Sequence, residues 1–254
     1  MKKILSIANY TFIENIRNKV FYILVLFGLI IIGASLLLAA LGGEQVTRIL
    51  LDLGLGAIEF FALLTIAYSA VTLVLEEMES KTIYLVLTRP VSKIAYLLGR
   101  FMGLLAAVYC GILLMSCLHI VILKLNGWEF VMRYPLAIIL SVCKITIIGS
   151  LAVFFAVFSS SAISSISFTV FFWVLGHFSE ELLFLSGKMS NVVLKVLIKA
   201  AYYLVPNLQF FNLRDFWDVP NIVGSWVYLS LPYTIIYSMF YLLLTLILFN
   251  RKEF

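Results

Sequence analysis

Long uninterrupted apolar runs constrain this chain more than any other feature. Residues 20–41, 55–75, 94–123, 135–158, 161–178 and 226–249 are dominated by aliphatic and aromatic side chains, with at most one Asp, Glu, Lys or Arg each. A helical crossing of a bilayer takes about 20 such residues, with a range of about 17–25. The run 94–123 is long enough to tilt or to protrude. Backbone groups facing hydrocarbon have to be satisfied within their own segment, so the runs read as transmembrane helices. A membrane barrel would show segments of about 10 residues alternating apolar and polar, whereas these runs are continuous. Only 12% of the 254 residues are charged and 63% are hydrophobic, against roughly 25% charged in soluble chains. Too few charged groups exist to cover a globule. The expected fold is all-α, a polytopic protein of six spans forming one domain over 1–254.

The flanks of the spans add detail. Lys2-Lys3 is followed by mixed residues and then by the run 20–41, which exceeds the core of about 7–15 residues in a signal peptide. An uncleaved anchor is expected. Residues 4–19 place Ile4, Leu5, Ala8, Phe12 and Ile16 on one helical side, with Arg17 and Lys19 at the basic end. That pattern predicts an amphipathic helix lying in the membrane interface. A second amphipathic helix is predicted over 188–204, with Lys188, Lys195 and Lys199 opposite Val192, Val193, Val196 and Leu197. Pro206 ends it, and Phe210, Phe211, Phe216 and Trp217 suit an interfacial aromatic belt.

With the N-terminus inside, the inner segments hold Lys2, Lys3, Arg17, Lys19, Lys81, Arg89, Lys93, Arg100, Arg251 and Lys252. Fewer basic residues fall outside, so both termini are expected in the cytoplasm. The net charge of +5 includes no block of consecutive Lys or Arg. It fits contact with anionic head groups and excludes nucleic acid as an expected partner. Cys110, Cys117 and Cys143 all stand inside apolar runs; an odd number so placed predicts packing residues, not a disulfide framework.

Between the second and third runs lies the most informative stretch. Glu76, Glu77 and Glu79 precede Thr82; Ile83, Val86 and Leu87 then give one apolar helical face; Arg89-Pro90, Ser92 and Lys93 lead to the third run. Ser92 is placed to cap that helix.

Read through Thr82, Leu87, Arg89-Pro90, Ser92, Gly99-Arg100 and Phe101, residues 76–103 resemble the membrane (permease) subunits of type 2 ABC transporters. In that family an acidic Glu-x-Glu-x-Gly-Thr pattern, a short helix and a Pro-Val-Ser-like turn join spans two and three. One position departs, Lys81 standing where Gly is usual. The N-terminal helix with Arg17-Asn18-Lys19, Pro206-Asn207 before the last run, and the charged tail 251–254 are further points of likeness.

The resemblance implies a short cytoplasmic coupling helix. It also implies pairing with a second permease copy or paralogue and with a separate cytoplasmic ABC ATPase that carries ATP and Mg. Glu76, Glu77, Glu79, Thr82, Arg89, Pro90 and Lys93 are the implied coupling residues. The implied setting is a prokaryotic inner membrane, with export the favoured direction, no enzymatic activity in this chain and no cofactor bound to it. No Gly-x-x-x-x-Gly-Lys-Ser/Thr phosphate loop occurs in the sequence.

Glu59 and Lys144 stand inside apolar runs, where ionisable groups are costly and mark functional sites. A contact between them across the second and fourth spans is one expectation, and interfacial solvation of Glu59 is the other. His119 and His177 lack a His, Cys or Asp three or four residues away, so helix packing is favoured over metal. Ser150 and the Ser-rich turn 159–161 lack the Gly-x-Ser-Gly of an intramembrane serine protease. A hydrolase is the alternative function, together with a self-sufficient secondary transporter, which would show an inverted repeat.

Overall fold

The computed structural model describes residues 2–40, 45–75, 92–189, 191–216 and 223–251. Among them there are helices and turns and no strand. In chain order these are α1 (Lys2–Arg17), α2 (Lys19–Ala39), α3 (Val46–Ala70, prolonged by a wide π turn over Val71–Leu75), α4 (Lys93–Leu125) and α5 (Arg133–Phe158). Then come α6 (Ala162–His177), α7 (Ser179–Lys188), α8 (Val192–Leu204) and α9 (Val223–Arg251). Two short 3-10 turns, Gln209–Phe211 and Leu213–Phe216, lie between α8 and α9.

Among the described residues five helices are long and apolar enough to cross a membrane: α2, α3, α4, α5 and the Tyr228–Arg251 part of α9. A sixth exists if α6 and α7, bent by 66° at Phe178, count as one broken crossing. The chain is therefore a multi-pass membrane protein built from helices. Within it α3 and α5 are the most enclosed crossings, and α2 and α9 the most exposed.

Several boundaries differ from the apolar runs for physical reasons. α3 begins at Val46, ahead of the run at 55, because Arg48 and Asp52 form an exposed i,i+4 pair at 4.0 Å that continues the helix past its apolar part. Lys19 belongs to α2 and not to the interfacial helix: Asn18 is extended, and its side chain accepts the Val20 N–H at 2.9 Å. The expected helix over 188–204 is divided. Lys188 ends α7 with its ammonium over the Phe184 ring, and Asn191 accepts the Val193 N–H at 2.9 Å to open α8. The acidic stretch and expected coupling helix (Glu76, Glu77, Glu79, Thr82, Arg89 and Pro90) lie outside the described residues, as do 41–44, Trp217 and the tail 252–254.

α1 packs on the first half of α4 with Ile7, Ala8 and Thr11 against two glycines. Thr11 and Asn15 are its buried residues, whereas Leu5, on the predicted apolar side, is 69% exposed. The reason lies in α4, where Gly99 and Gly103 stand one turn apart. A Cβ on Gly99 would lie 2.7 Å from Ile7 Cβ, and one on Gly103 would strike the Ala8 carbonyl oxygen. Bare glycine backbone lets the two helix axes approach, as in membrane helix pairs generally, where apolar residues gain nothing by leaving lipid. Between the glycines, Arg100 donates to Glu14 at 2.6 Å and to Thr11 at 3.2 Å. Lys93 opens α4, where Ser92 accepts the Ala95 N–H at 3.2 Å. Its ammonium stands 5.8 Å from the centre of the buried Phe249 ring near the end of α9. Arg17 is exposed in the last turn of α1.

Candidate functional site

A buried charged cluster joins α3, α5, α6 and the irregular segment before α9. The Lys144 ammonium donates to Glu59 Oε1 at 2.9 Å. His177 Nε2 lies 3.2 Å from the same oxygen and 3.1 Å from Lys144 Nζ. Trp173 Nε1 donates to Oε1 at 3.3 Å, and Arg214 Nη2 donates to Oε2 at 3.1 Å. Glu59 is 4% exposed and Lys144 1%, while His177 at 19% and Arg214 at 24% form the open side of the cluster.

Helix geometry explains why these residues meet. Lys144 stands 15 residues before Ser159 and His177 16 residues after Ser161. At 1.5 Å per residue each lies roughly 22–24 Å from the turn between α5 and α6, so an antiparallel hairpin sets them at one height. Trp173 and His177 are i and i+4, hence on one face of α6, with ring centres 4.6 Å apart. Glu59 on α3 and Lys144 on α5 lie about 16–20 Å from the starts of their helices, so both stand well inside long helices.

Arg214 arrives differently. After α8 the chain turns inward with Val205, Leu208, Phe211 and Leu213 buried. Leu208 N–H donates to the Gly176 carbonyl at 2.9 Å, and Asn207 N–H donates to the Tyr233 hydroxyl at 2.7 Å. Non-helical backbone at membrane depth is tolerated only inside protein or against a cavity, and here α5, α6 and α9 supply the enclosure. Asn212 accepts from Arg214 Nε at 3.0 Å, and Gly56 leaves room for the guanidinium, since a Cβ there would lie 2.9 Å from Nη1.

A carboxylate accepts at about four lone-pair positions, and Glu59 meets donors on both oxygens. An isolated ionisable side chain at the centre of a span costs about 2.5–3.5 kcal/mol. Paired and hydrogen-bonded, the group acts as a polar lock across four elements instead. The donors differ in worth. Trp173→Phe removes one neutral donor and is expected to lower stability by about 1–2 kcal/mol, read as a modest drop in the thermal midpoint of the detergent-solubilised chain. A loss as large as that of a charged partner would show that the indole holds the site.

Of the residues singled out in the sequence, Glu59 and Lys144 are brought together. Arg17, Lys19 and Lys93 take no part in the cluster: Arg17 ends α1, Lys19 opens α2 and Lys93 opens α4 near the end of α9. His177, Trp173 and Arg214 were not expected partners; the 144–177 hairpin symmetry was the one available signal, and nothing local marked Arg214. His119 sits elsewhere, between the Tyr134 hydroxyl at 2.9 Å and the Leu50 carbonyl at 3.0 Å. Ser150 donates to the Ile147 carbonyl at 2.7 Å, whereas His177 engages Glu59, Lys144 and Trp173. Among the described residues no group of His, Cys, Asp or Glu is arranged to hold a metal ion. No family model matches the chain, and no curated protein matches it.

Proposed function

We propose that the chain is the permease subunit of a type 2 ABC transporter. In this reading it makes six crossings, with α6 and α7 forming one broken span. Both termini and residues 76–91 face the cytoplasm of a prokaryotic cell. It pairs with a second permease copy or a paralogue, and a separate ATPase binds ATP and Mg. Export is the direction adopted.

One observation carries the reading. The resembling segment runs on into α4 at Gly99, Arg100 and Gly103, and those three residues hold α1. The amphipathic N-terminal helix and the described end of the resembling segment, from Ser92 on, thus meet in one crossing. A push delivered from the cytoplasm at either element would move α4 as a body. The buried lock at Glu59 then lies farther along the same bundle, where α3 packs against both α4 and α5.

The test pairs the chain with a candidate phosphate-loop ATPase and measures substrate-stimulated ATP hydrolysis in nanodiscs. Charge reversal of Glu77 and Glu79 together is expected to leave hydrolysis running while transport falls by an order of magnitude or more. Full coupling in that variant would remove the role given to the acidic stretch. Turnover of a substrate by the purified chain alone would remove the whole assignment.

A further inference from the structure

His177 has a fixed tautomer. Its Nδ1 lies 2.9 Å from the Trp173 carbonyl oxygen, which only accepts, so Nδ1 carries a hydrogen. In the neutral ring Nε2 is then a bare acceptor. So long as the ring is neutral, Nε2 can accept from Lys144 at 3.1 Å but has no hydrogen to donate to Glu59 Oε1 at 3.2 Å. A proton added to Nε2 inverts both relations. The N–H now donates to the Glu59 carboxylate, and the contact with Lys144 becomes one between two cations.

We propose that His177 is a proton-binding site that exchanges Lys144 for Glu59 as its partner, and that this exchange releases the segment 205–216 from the bundle. The groups facing the ring are Glu59 from α3, Lys144 from α5 and Arg214 from the turn Leu213–Phe216, with Trp173 on its own helix. Glu59 and Lys144 lie well inside long, enclosed helices and have little freedom to move. His177 ends α6 at the 66° bend, and the adjoining Gly176 carbonyl holds Leu208. Arg214 shares the carboxylate with the ring and belongs to the irregular segment. A new positive charge at Nε2 therefore displaces the end of α6 and Arg214 rather than the two rigid helices. The proton enters on the side where His177 and Arg214 are accessible, and no covalent bond other than N–H is made. The site stands independently of the transporter assignment, because it uses only the geometry of the cluster.

The full chain, labelled with 15N-histidine and held in nanodiscs, tests the exchange directly. It contains two histidines, and His177→Gln assigns their signals. When neutral, the His177 ring is expected to carry hydrogen on Nδ1 alone; when protonated at lower pH, on both nitrogens, with a new coupling from Nε2–H toward a carboxylate. Hydrogen–deuterium exchange of amides 205–216, corrected for the intrinsic effect of pH, is expected to quicken roughly tenfold across the same interval. In His177→Gln that quickening should vanish. An Nε2–H tautomer at high pH, or an equal acid response in His177→Gln, overturns the proposal. Should the variant fail to fold, the tautomer of the parent chain still decides.

Discussion

Lys144→Met is expected to destabilise the chain by about 3–5 kcal/mol, the cost of removing one partner from a buried ion pair. Methionine keeps most of the volume, so the loss is electrostatic. Glu59 would keep Arg214 and Trp173, but its Oε1 would face the bare Nε2 of His177 at 3.2 Å with no ammonium between them. At about 2–4 °C per kcal/mol for a chain of this size, the thermal midpoint should fall by about 6–20 °C. Glu59→Met should cost a similar amount, because Lys144 is then left 1% exposed without its carboxylate. The double variant decides between contact and coincidence. If Glu59 and Lys144 stabilise one another, removing both is expected to restore about 1–3 kcal/mol relative to the sum of the single losses. Arg214, at 24% exposure, can turn toward water and should not by itself unfold the double variant. Strictly additive losses would show that the 2.9 Å contact contributes nothing.

How much of this was readable beforehand depended on the range of the forces involved. The apolar runs marked the crossings because a hydrocarbon slab imposes a length on every helix, whatever its neighbours. They misplaced the start of α3 because a helix continues into water as long as pairs such as Arg48 and Asp52 support it. The side by which α1 packs on α4 could not be read in the same way. Leu5 and its neighbours predict a face turned toward an apolar phase, and in a membrane that phase is lipid as well as protein. The packed side is set by Ile7, Ala8 and Thr11 meeting the glycines of α4. In the cluster, Glu59 and Lys144 stood out as ionisable residues in apolar runs. Arg214 did not, since its place depends on segment 205–216 folding back between α6 and α9, a tertiary event with no local periodicity. His177 lay between these cases: counting residues from the Ser159–Ser161 turn puts it level with Lys144.

Gly103→Ala is expected to separate α1 from α4 while leaving the bundle folded. A methyl group at that position meets the Ala8 carbonyl oxygen and stands 2.6 Å from Thr11 Cβ. One obstacle is backbone and the other a branched Cβ inside a helix, so no rotamer change relieves the clash. Overpacking of this kind costs about 1–3 kcal/mol, and the helix with the least other support moves. That helix is α1, whose buried residues are limited to Thr11 and Asn15. Hydrogen exchange over residues 2–17 should rise sharply, with residues 46–75 and 133–158 unchanged. Gly33→Ala is the matched control. Nothing lies within 4 Å of a Cβ there, so alanine should be neutral or stabilise α2 by up to about 1 kcal/mol. In the proposed transporter the two variants should also part in function. With α1 loose, the ATPase would still hydrolyse ATP but transport would fall, whereas Gly33→Ala would transport normally. If Gly103→Ala leaves both exchange and transport untouched, α1 is not the lever that its seat on Gly99, Arg100 and Gly103 implies, and force must reach α4 through residues 76–93 alone.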